Sequence, residues 1–185
     1  MSTSERIGVT IAAALLVGAC ATQVSGPETT ARQPNLGRVA TAEEVAGWDI
    51  SIPPSGVGLP AGSGTAKQGA AIYAAQCLAC HGDKGAGKPA DALAGGIGSL
   101  ATAKPVRTVG SYWPYATTLF DYVRRAMPIA NPLSLTNDEV YAVSAYILYV
   151  NGIVPEDAPM TATTLPLVKM PNRDGFISDW PARKR

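Results

Sequence analysis

Five consecutive residues, Cys77-Leu78-Ala79-Cys80-His81, determine how the rest of this sequence is interpreted. Their spacing places two thiols three positions apart, on one face of a helical turn. In an exported chain this C-x-x-C-H pattern is typical of haem attachment, in which each thiol adds to one vinyl group of the porphyrin. His81 follows directly and is then the proximal ligand of the iron. The motif therefore predicts one covalently bound haem c, attached through Cys77 and Cys80.

Zinc sites and redox-active cysteine pairs contain similar patterns. A structural zinc site needs four ligands, whereas the whole chain has three cysteines and one histidine, and the third cysteine, Cys20, lies in a leader segment. A redox C-x-x-C is expected beside the strands of a βαβ unit, whereas residues 67–76 are rich in alanine and indicate a helix. Haem attachment is therefore the favoured interpretation.

The second axial ligand of the iron cannot be a histidine, because His81 is the only one in the chain. Beyond the initiator, the methionines are Met127, Met160 and Met170. Met127 ends a predicted helix and precedes a loop with two prolines, which can present a thioether at little entropic cost. Met170 lies in a tail where no helix holds it. The sequence favours Met127 as the ligand over Met170, and the alternative is that each methionine simply fills the core.

The overall composition narrows the possible classes of protein. With 15 Lys and Arg against 14 Asp and Glu, the charge is nearly balanced, so no nucleic-acid binding is expected. The 19 glycines and 15 prolines indicate a small domain with long irregular segments. We expect a haem domain at residues 63–152. It would be preceded by a flexible linker or arm at residues 20–62, and a C-terminal extension, residues 153–185, would pack on the domain or on a partner.

The N-terminus is predicted to be an export signal, with Arg6, then an apolar run at residues 7–17, then small residues. That run is too short for a stable membrane span. Residues 16–20, LVGAC, resemble a bacterial lipobox, whose cysteine becomes the lipidated first residue of the mature protein. The alternative, an ordinary signal peptide, would leave an odd exported thiol. We therefore expect residues 1–19 to be a signal peptide and Cys20 to anchor a periplasmic lipoprotein to a membrane.

Two helices in the expected haem domain begin with a capping box. In the first box the Thr65 side chain accepts a helix-start amide and Gln68 reaches back to the Thr65 amide, which opens the helix that leads into the two cysteines. Thr136 and Glu139 open the last helix in the same way, and residues 151–152 close it. Local chemistry therefore predicts where both helices start.

A middle helix is predicted to begin at Pro114, because proline suits the first helical turn, and to end at Met127. Its buried stripe is the apolar set Leu119, Tyr122, Val123 and Ala126, and its water-facing set is Asp121, Arg124 and Arg125. The predicted fold is therefore all-α.

The segment between the first two helices contains the other candidate haem contacts. Residues 93–100 are glycine-rich, which lets a backbone approach a flat ligand closely, and no G-K-[ST] follows that would indicate a phosphate loop. Guanidinium, phenol and indole donors commonly satisfy haem propionates. Arg107, Tyr112 and Trp113 are the candidates for these contacts, with plain surface and core roles as the alternative. Further upstream, Trp48 and Ile50 are apolar enough to dock on the domain.

The order of these elements resembles the class I cytochrome c family over residues 63–152. In that family the first and last helices cross with a glycine against an aromatic residue, which Gly69 and Tyr146 would supply. The resemblance implies a class I cytochrome c fold, here with long irregular N- and C-terminal extensions. It also implies His81 and Met127 as the axial ligands of the iron.

A longer resemblance links the chain to the cytochrome subunits of bacterial sulfite and sulfur dehydrogenases. It rests on residues 108–116 (TVGSYWPYA), 121–128 (DYVRRAMP), 138–142 (DEVYA) and 170–176 (MPNRDGF). It implies that a molybdenum-containing subunit supplies electrons and that a downstream cytochrome or oxidase receives them. The sulfur dehydrogenase subunit carries two haems, whereas this chain has one attachment motif.

The leading hypothesis is thus a monohaem carrier of single electrons without catalytic residues of its own. A cytochrome that serves another periplasmic dehydrogenase shares the general pattern. A haem enzyme or sensor with an open sixth position is disfavoured, since no second histidine is present to act as acid or base. A lipoprotein without haem, in which the two cysteines bind metal or form a disulfide, is the remaining alternative.

Overall fold

The computed structural model describes residues 37–177, and the predicted signal peptide, Cys20 and Trp180 lie outside them. A compact unit that starts at Ala42 contains every helix and strand of this part of the chain. The predicted all-α fold is confirmed, apart from one small two-stranded sheet. In chain order the elements are α1 (Ala42–Trp48), β1 (Ser63–Gly64), α2 (Ala66–Gln76), α3 (Leu78–His81), a 3-10 turn (Asp83–Gly85), α4 (Val109–Tyr112), α5 (Ala116–Ala126), α6 (Asn137–Val150), β2 (Met160–Thr161) and a second 3-10 turn (Leu165–Leu167).

Both predicted capping boxes are present. At the start of α2, the Gln68 amide donates to the Thr65 hydroxyl over 3.3 Å, and the Thr65 amide donates to the Gln68 side chain over 2.9 Å. At the start of α6, Thr136 and Glu139 exchange the corresponding bonds. Each box satisfies amides that a helix start otherwise leaves without partners, which explains why both helices begin where the sequence indicates.

Helices α2 and α6 cross in direct backbone contact at Gly69. A Cβ atom placed on Gly69 would lie 1.9 Å from the carbonyl oxygen of Ala142 and 2.9 Å from the Cβ of Tyr146, so no larger residue fits without separating the helices. One turn further along α2, the Tyr73 ring packs against the Tyr146 ring with centroids 4.9 Å apart. The predicted crossing of a glycine against an aromatic residue is therefore confirmed.

Helix α5 differs from its prediction in three ways, one of which is that Tyr122, predicted for the buried stripe, is 45% exposed. It begins at Ala116 with Tyr115 as its N-cap, two residues later than predicted from Pro114. Asp121, predicted to face water, is only 8% exposed. Its carboxylate accepts the amide proton of Ile52 over 2.8 Å and also binds the Arg125 side chain. Asp121 is therefore inside the fold because a distant segment covers it.

That segment, residues 50–54, runs antiparallel to α5. Pro54 accepts a hydrogen bond from the Thr117 hydroxyl near the start of the helix, over 3.2 Å. Ile50 accepts one from the Arg124 guanidinium near its end, over 3.3 Å. Between them Ile52 is buried in the core. Ile52 is therefore the apolar anchor of the segment. Of the two residues expected to dock, Ile50 is half-buried and Trp48 is 90% exposed.

The rest of the arm passes along α6 and ends in the small sheet. The Tyr141 hydroxyl donates to the Pro60 carbonyl over 2.9 Å, and the Ser63 amide donates to the Asp138 carboxylate over 2.7 Å. Strand β1 then pairs antiparallel with β2, with Ser63 opposite Thr161. The arm and the tail thus meet on the last helix.

The C-terminal tail also contributes to the core. Met160, Leu165 and Met170 are all buried in the cluster formed by α5 and α6. The expectation that no helical packing holds Met170 was wrong, because Met170 is buried in the core cluster after the 3-10 turn at Leu165–Leu167. Among the described residues, no helix is long and apolar enough to cross a membrane.

Candidate haem site

The two motif cysteines lie at the junction of α2 and α3. Cys77 caps the end of α2 and accepts the amide of His81 over 2.9 Å, which closes the single turn of α3. Cys77 is half-buried and Cys80 exposed, and both are free thiols. Burial, assisted by the neighbouring Cys80, raises the pKa of the Cys77 thiol to about 11. Two unpaired thiols on adjacent turns are the donors that covalent attachment to a porphyrin requires.

The imidazole of His81 is oriented by a backbone carbonyl. Its Nδ1 atom lies 2.9 Å from the carbonyl oxygen of Asp91. A carbonyl oxygen only accepts hydrogen bonds, so Nδ1 must carry the proton and donate it. The lone pair of the neutral ring then resides on Nε2, the atom that remains for a metal. This is the usual arrangement of a ligating histidine, in which the second nitrogen is held by an acceptor.

Backbone hydrogen bonds hold the loop that follows His81 against the motif. The Gly87 amide donates to the His81 carbonyl over 2.7 Å, and the Ala90 amide donates to the Cys80 carbonyl over 2.8 Å. Gly82 has φ +72°, and the Tyr73 hydroxyl donates to its carbonyl over 2.9 Å. Burial, followed by the nearby Cys77, raises the pKa of Tyr73 to about 12. Tyr73 thus remains a neutral donor that fixes the turn beneath the motif.

Met127 lies at the C-terminal end of α5. It is the C-cap residue, and its amide donates to the Val123 carbonyl over 3.1 Å. Met127 is half-buried and packs against the same core cluster as Cys77. Met160 and Met170, by contrast, are buried within that cluster. Among the described methionines, Met127 is therefore the one with a side chain that is not enclosed by the core.

The three residues predicted to contact the propionates are close in sequence, but their side chains lie in two different parts of the structure. The Arg107 guanidinium lies over the Tyr112 ring, 5.7 Å from its centroid. The Trp113 ring instead packs edge-on against Tyr122, with centroids 5.7 Å apart. The structure thus brings Arg107 and Tyr112 together and places Trp113 beside α5. Their role towards propionates stays a prediction.

Asn151 is a structural residue of this region that the sequence indicated only as a helix end. Its side-chain oxygen accepts the amide of Gly95 over 3.0 Å, and its amide nitrogen donates to the Leu93 carbonyl over 3.1 Å. The Thr108 hydroxyl then donates to the Gly95 carbonyl over 2.7 Å and caps α4. Asn151 therefore ties the glycine-rich loop and α4 to the end of α6.

Asp91 and α4 were also missed. The Asp91 contact uses a main-chain atom, so no side-chain pattern announces it. Helix α4 has only four residues, and its signal was the capping pair Thr108 and Ser111. Short capped turns of this kind are hard to separate from loops in a sequence.

Residues 64–147 match the model of the protein family described as "Cytochrome C oxidase, cbb3-type, subunit III". A chain in the crystal structure of the sulfane dehydrogenase SoxCD from Paracoccus pantotrophus is 44% identical to this chain. The similarity covers 80% of this chain and 73% of that chain, with a TM-score of 0.75. No curated protein matches.

The donor set fits a covalently bound haem c. Two free thiols precede a histidine whose Nε2 is left available, and a half-buried methionine ends a helix on the same core. The family match covers all of these residues. The chain belongs to the class I c-type cytochromes, carries covalently bound haem c, and resembles the cytochrome c subunits of bacterial sulfite and sulfur dehydrogenases.

Proposed function

We propose that this electron-transfer cytochrome is the electron-accepting subunit or partner of a periplasmic molybdenum-containing sulfite or sulfur dehydrogenase. The observation that carries the proposal is the 44% identity, over 80% of this chain, with a chain of the sulfane dehydrogenase SoxCD. A downstream cytochrome or oxidase would then receive the electrons.

In this proposal Cys77 and Cys80 would hold the haem through thioether bonds, and His81 and Met127 would ligate its iron. When bound, the haem accepts one electron and releases it again. The Asp91 carbonyl keeps the His81 ring in one orientation and makes Nε2 a better donor. A thioether ligand from Met127 would favour the reduced state of the iron, which suits an electron acceptor.

The ligand assignment is tested with a pair of methionine variants. We expect Met127→Ala to change the ferric absorption spectrum and to lower the midpoint potential, because the thioether is lost. Met170→Leu is the matched control, since it keeps the buried volume at a methionine that we do not assign to the iron. An unchanged spectrum and potential in Met127→Ala would exclude Met127 as a ligand. Rapid carbon monoxide binding by the ferrous wild type would instead indicate an open sixth position.

We also propose that the chain is exported and anchored to a membrane by a lipid on Cys20. The support is the lipobox-like sequence at residues 16–20, together with haem attachment, which takes place outside the bacterial cytoplasm. Cys20→Ser should move the protein from the membrane fraction to the soluble periplasmic fraction. Retention of the variant in the membrane fraction would contradict the lipid anchor.

The partner is tested on protein purified gently from its native host together with whatever accompanies it. Sulfite is added and the haem absorbance is followed. Reduction by sulfite, with a molybdenum-containing subunit in the preparation, supports the proposal. If the haem is reduced by dithionite but not by sulfite, and no molybdenum is present, the protein remains an electron carrier and the proposed donor is wrong.

A further inference from the structure

Helix α1 (Ala42–Trp48) contributes nothing to the core. None of its residues is buried, and its two large apolar side chains are exposed, Val45 by 50% and Trp48 by 90%. These residues are three positions apart, so both lie on one face of the helix. The helix therefore presents a small apolar face that the described part of the chain leaves uncovered.

An isolated helix of this length is not stable in water, because the cost of forming the first turn is not repaid by seven residues. Most helices this short are stabilised by packing, which α1 lacks within residues 37–177. An indole is also among the largest apolar groups that a protein can expose, and its burial removes about 150–250 Å² from water. Both features indicate that α1 is completed by contact with a surface outside residues 37–177.

The arm determines where α1 lies on the domain. Hydrogen bonds join Pro54 to Thr117 and Ile50 to Arg124, so the arm runs towards the C-terminal end of α5 as it approaches α1. Arg124 precedes Met127 by three residues, about 4.5 Å along the helix axis. Trp48 is two residues from Ile50, so their Cα atoms are at most about 7 Å apart. Helix α1 is therefore anchored at the end of α5 that carries the proposed axial methionine.

Charge identifies the kind of molecule that fits this face. Glu43 lies in the first turn of α1 and Asp49 follows its last residue, and Arg38, upstream of the helix, is the only Lys or Arg of residues 37–50. An anionic membrane surface would repel this segment, since such surfaces attract Lys and Arg. An apolar pocket with a rim of Lys and Arg on another protein would match both the indole and the carboxylates.

We propose that α1 is a docking element, and that its Trp48 and Val45 insert into an apolar pocket with a basic rim on the protein that donates electrons to the haem. The identity of that protein as the molybdenum-containing subunit rests on the proposed function. Docking at this end of α5 positions the donor beside the helix that carries Met127. The bonds at Ile50 and Ile52 tether the C-terminal end of the element next to α5 before the donor arrives.

Two measurements on the full chain, expressed in its native host, test this inference. The first is the ratio of molybdenum to haem iron that co-purifies with Trp48→Ala, compared with wild type and with Leu167→Ala. Leu167 is a matched control because it is an exposed apolar residue of the tail. The second is photo-crosslinking in cells from Trp48→p-benzoylphenylalanine, with the crosslinked product identified by mass spectrometry.

We expect Trp48→Ala to lower the ratio at least tenfold, as for an interface residue that dominates binding. Leu167→Ala should retain the ratio, and the unfolding midpoint of Trp48→Ala should be unchanged, because α1 buries no residue. The crosslink should join position 48 to the molybdenum-containing subunit.

The inference is overturned if Trp48→Ala keeps the wild-type ratio, or if position 48 crosslinks to lipid, to a second copy of this chain or to residues 1–36. A wild-type preparation with haem iron but no molybdenum would instead overturn the proposed function, and with it the partner assigned to α1. The two failures are therefore distinguishable in one experiment.

Discussion

Replacing Asp121 with alanine removes the acceptor that holds the arm on α5. The carboxylate accepts the Ile52 amide over 2.8 Å and is paired with Arg125 one turn away on the same helix. In Asp121→Ala the amide of the buried residue Ile52 loses its partner, which costs about 1–3 kcal/mol. The pair with the largely exposed Arg125 adds no more than about 0.5 kcal/mol. We expect the free energy of unfolding to fall by about 1–3.5 kcal/mol.

The measurement is urea unfolding of the haem-loaded protein, followed by far-ultraviolet circular dichroism. Asp121→Asn keeps an oxygen that can accept the Ile52 amide and loses only the charge, so it should cost about 1 kcal/mol or less. Asp174→Ala removes an exposed carboxylate of the tail and is the control. An Asp121→Ala protein within about 0.5 kcal/mol of wild type, the usual range for surface substitutions, would refute the role of Asp121 as an anchor.

The contribution of Asp121 should also depend on pH. Burial tends to raise the pKa of this carboxyl, but the hydrogen bonds from Arg125 and from the Ile52 amide outweigh it and hold the pKa below its ordinary value of 3.8. The folded state therefore binds the proton more weakly than the unfolded state does. The stabilisation is complete above the unfolded pKa and is lost as the pH falls through the folded pKa. The difference in free energy of unfolding between wild type and Asp121→Asn measures how much the charge of Asp121 stabilises the fold. This difference should therefore become smaller at acidic pH.

Three further substitutions test the packing of α6. Gly69→Ala should lower the free energy of unfolding by about 1–3 kcal/mol, because the new methyl group collides with the Ala142 carbonyl. An unchanged midpoint of urea unfolding would contradict the close crossing. Ser144→Ala should raise the free energy of unfolding by about 1 kcal/mol, since the buried Ser144 hydroxyl has no hydrogen-bond partner, and a decrease would show that the hydroxyl is satisfied. Asn151→Asp should lower the thermal midpoint, because a carboxylate cannot donate hydrogen bonds to the carbonyls of Leu93 and Ile147. An unchanged thermal midpoint would show that these two hydrogen bonds do not stabilise the fold.

The features that the sequence predicted well are those with local causes. The capping boxes at Thr65 and Thr136 involve residues three positions apart, so their chemistry is visible without knowledge of the fold. The crossing at Gly69 was obtained from a resemblance, and the structure supplies its physical reason, since the helices touch backbone to backbone. The motif at residues 77–81 indicated its cofactor for the same reason that the capping boxes were visible, because its two thiols and its histidine lie close together in the sequence.

The features that could not be predicted depend on residues far apart in the chain. Asp121 matched the polar face of an amphipathic helix, and only the arrival of Ile52, 69 positions earlier, makes it a buried acceptor. Met170 was expected to lie in a tail without helical packing, yet the tail enters the core after the turn at Leu165. In both cases an irregular segment covers a helix, and irregular segments have no periodic pattern that announces which face they bury.

Strands β1 and β2 join the start of the haem-binding core to residues that follow its last helix. Closing a loop costs entropy that rises with the length of the intervening chain, so we expect this pairing to form late in folding, after α2 and α6 have packed. Pulsed hydrogen exchange during refolding should then show protection of α6 amides before those of the two strands. Late closure would leave the tail free until the helices of the haem-binding core have packed, and the tail would stabilise the domain only afterwards.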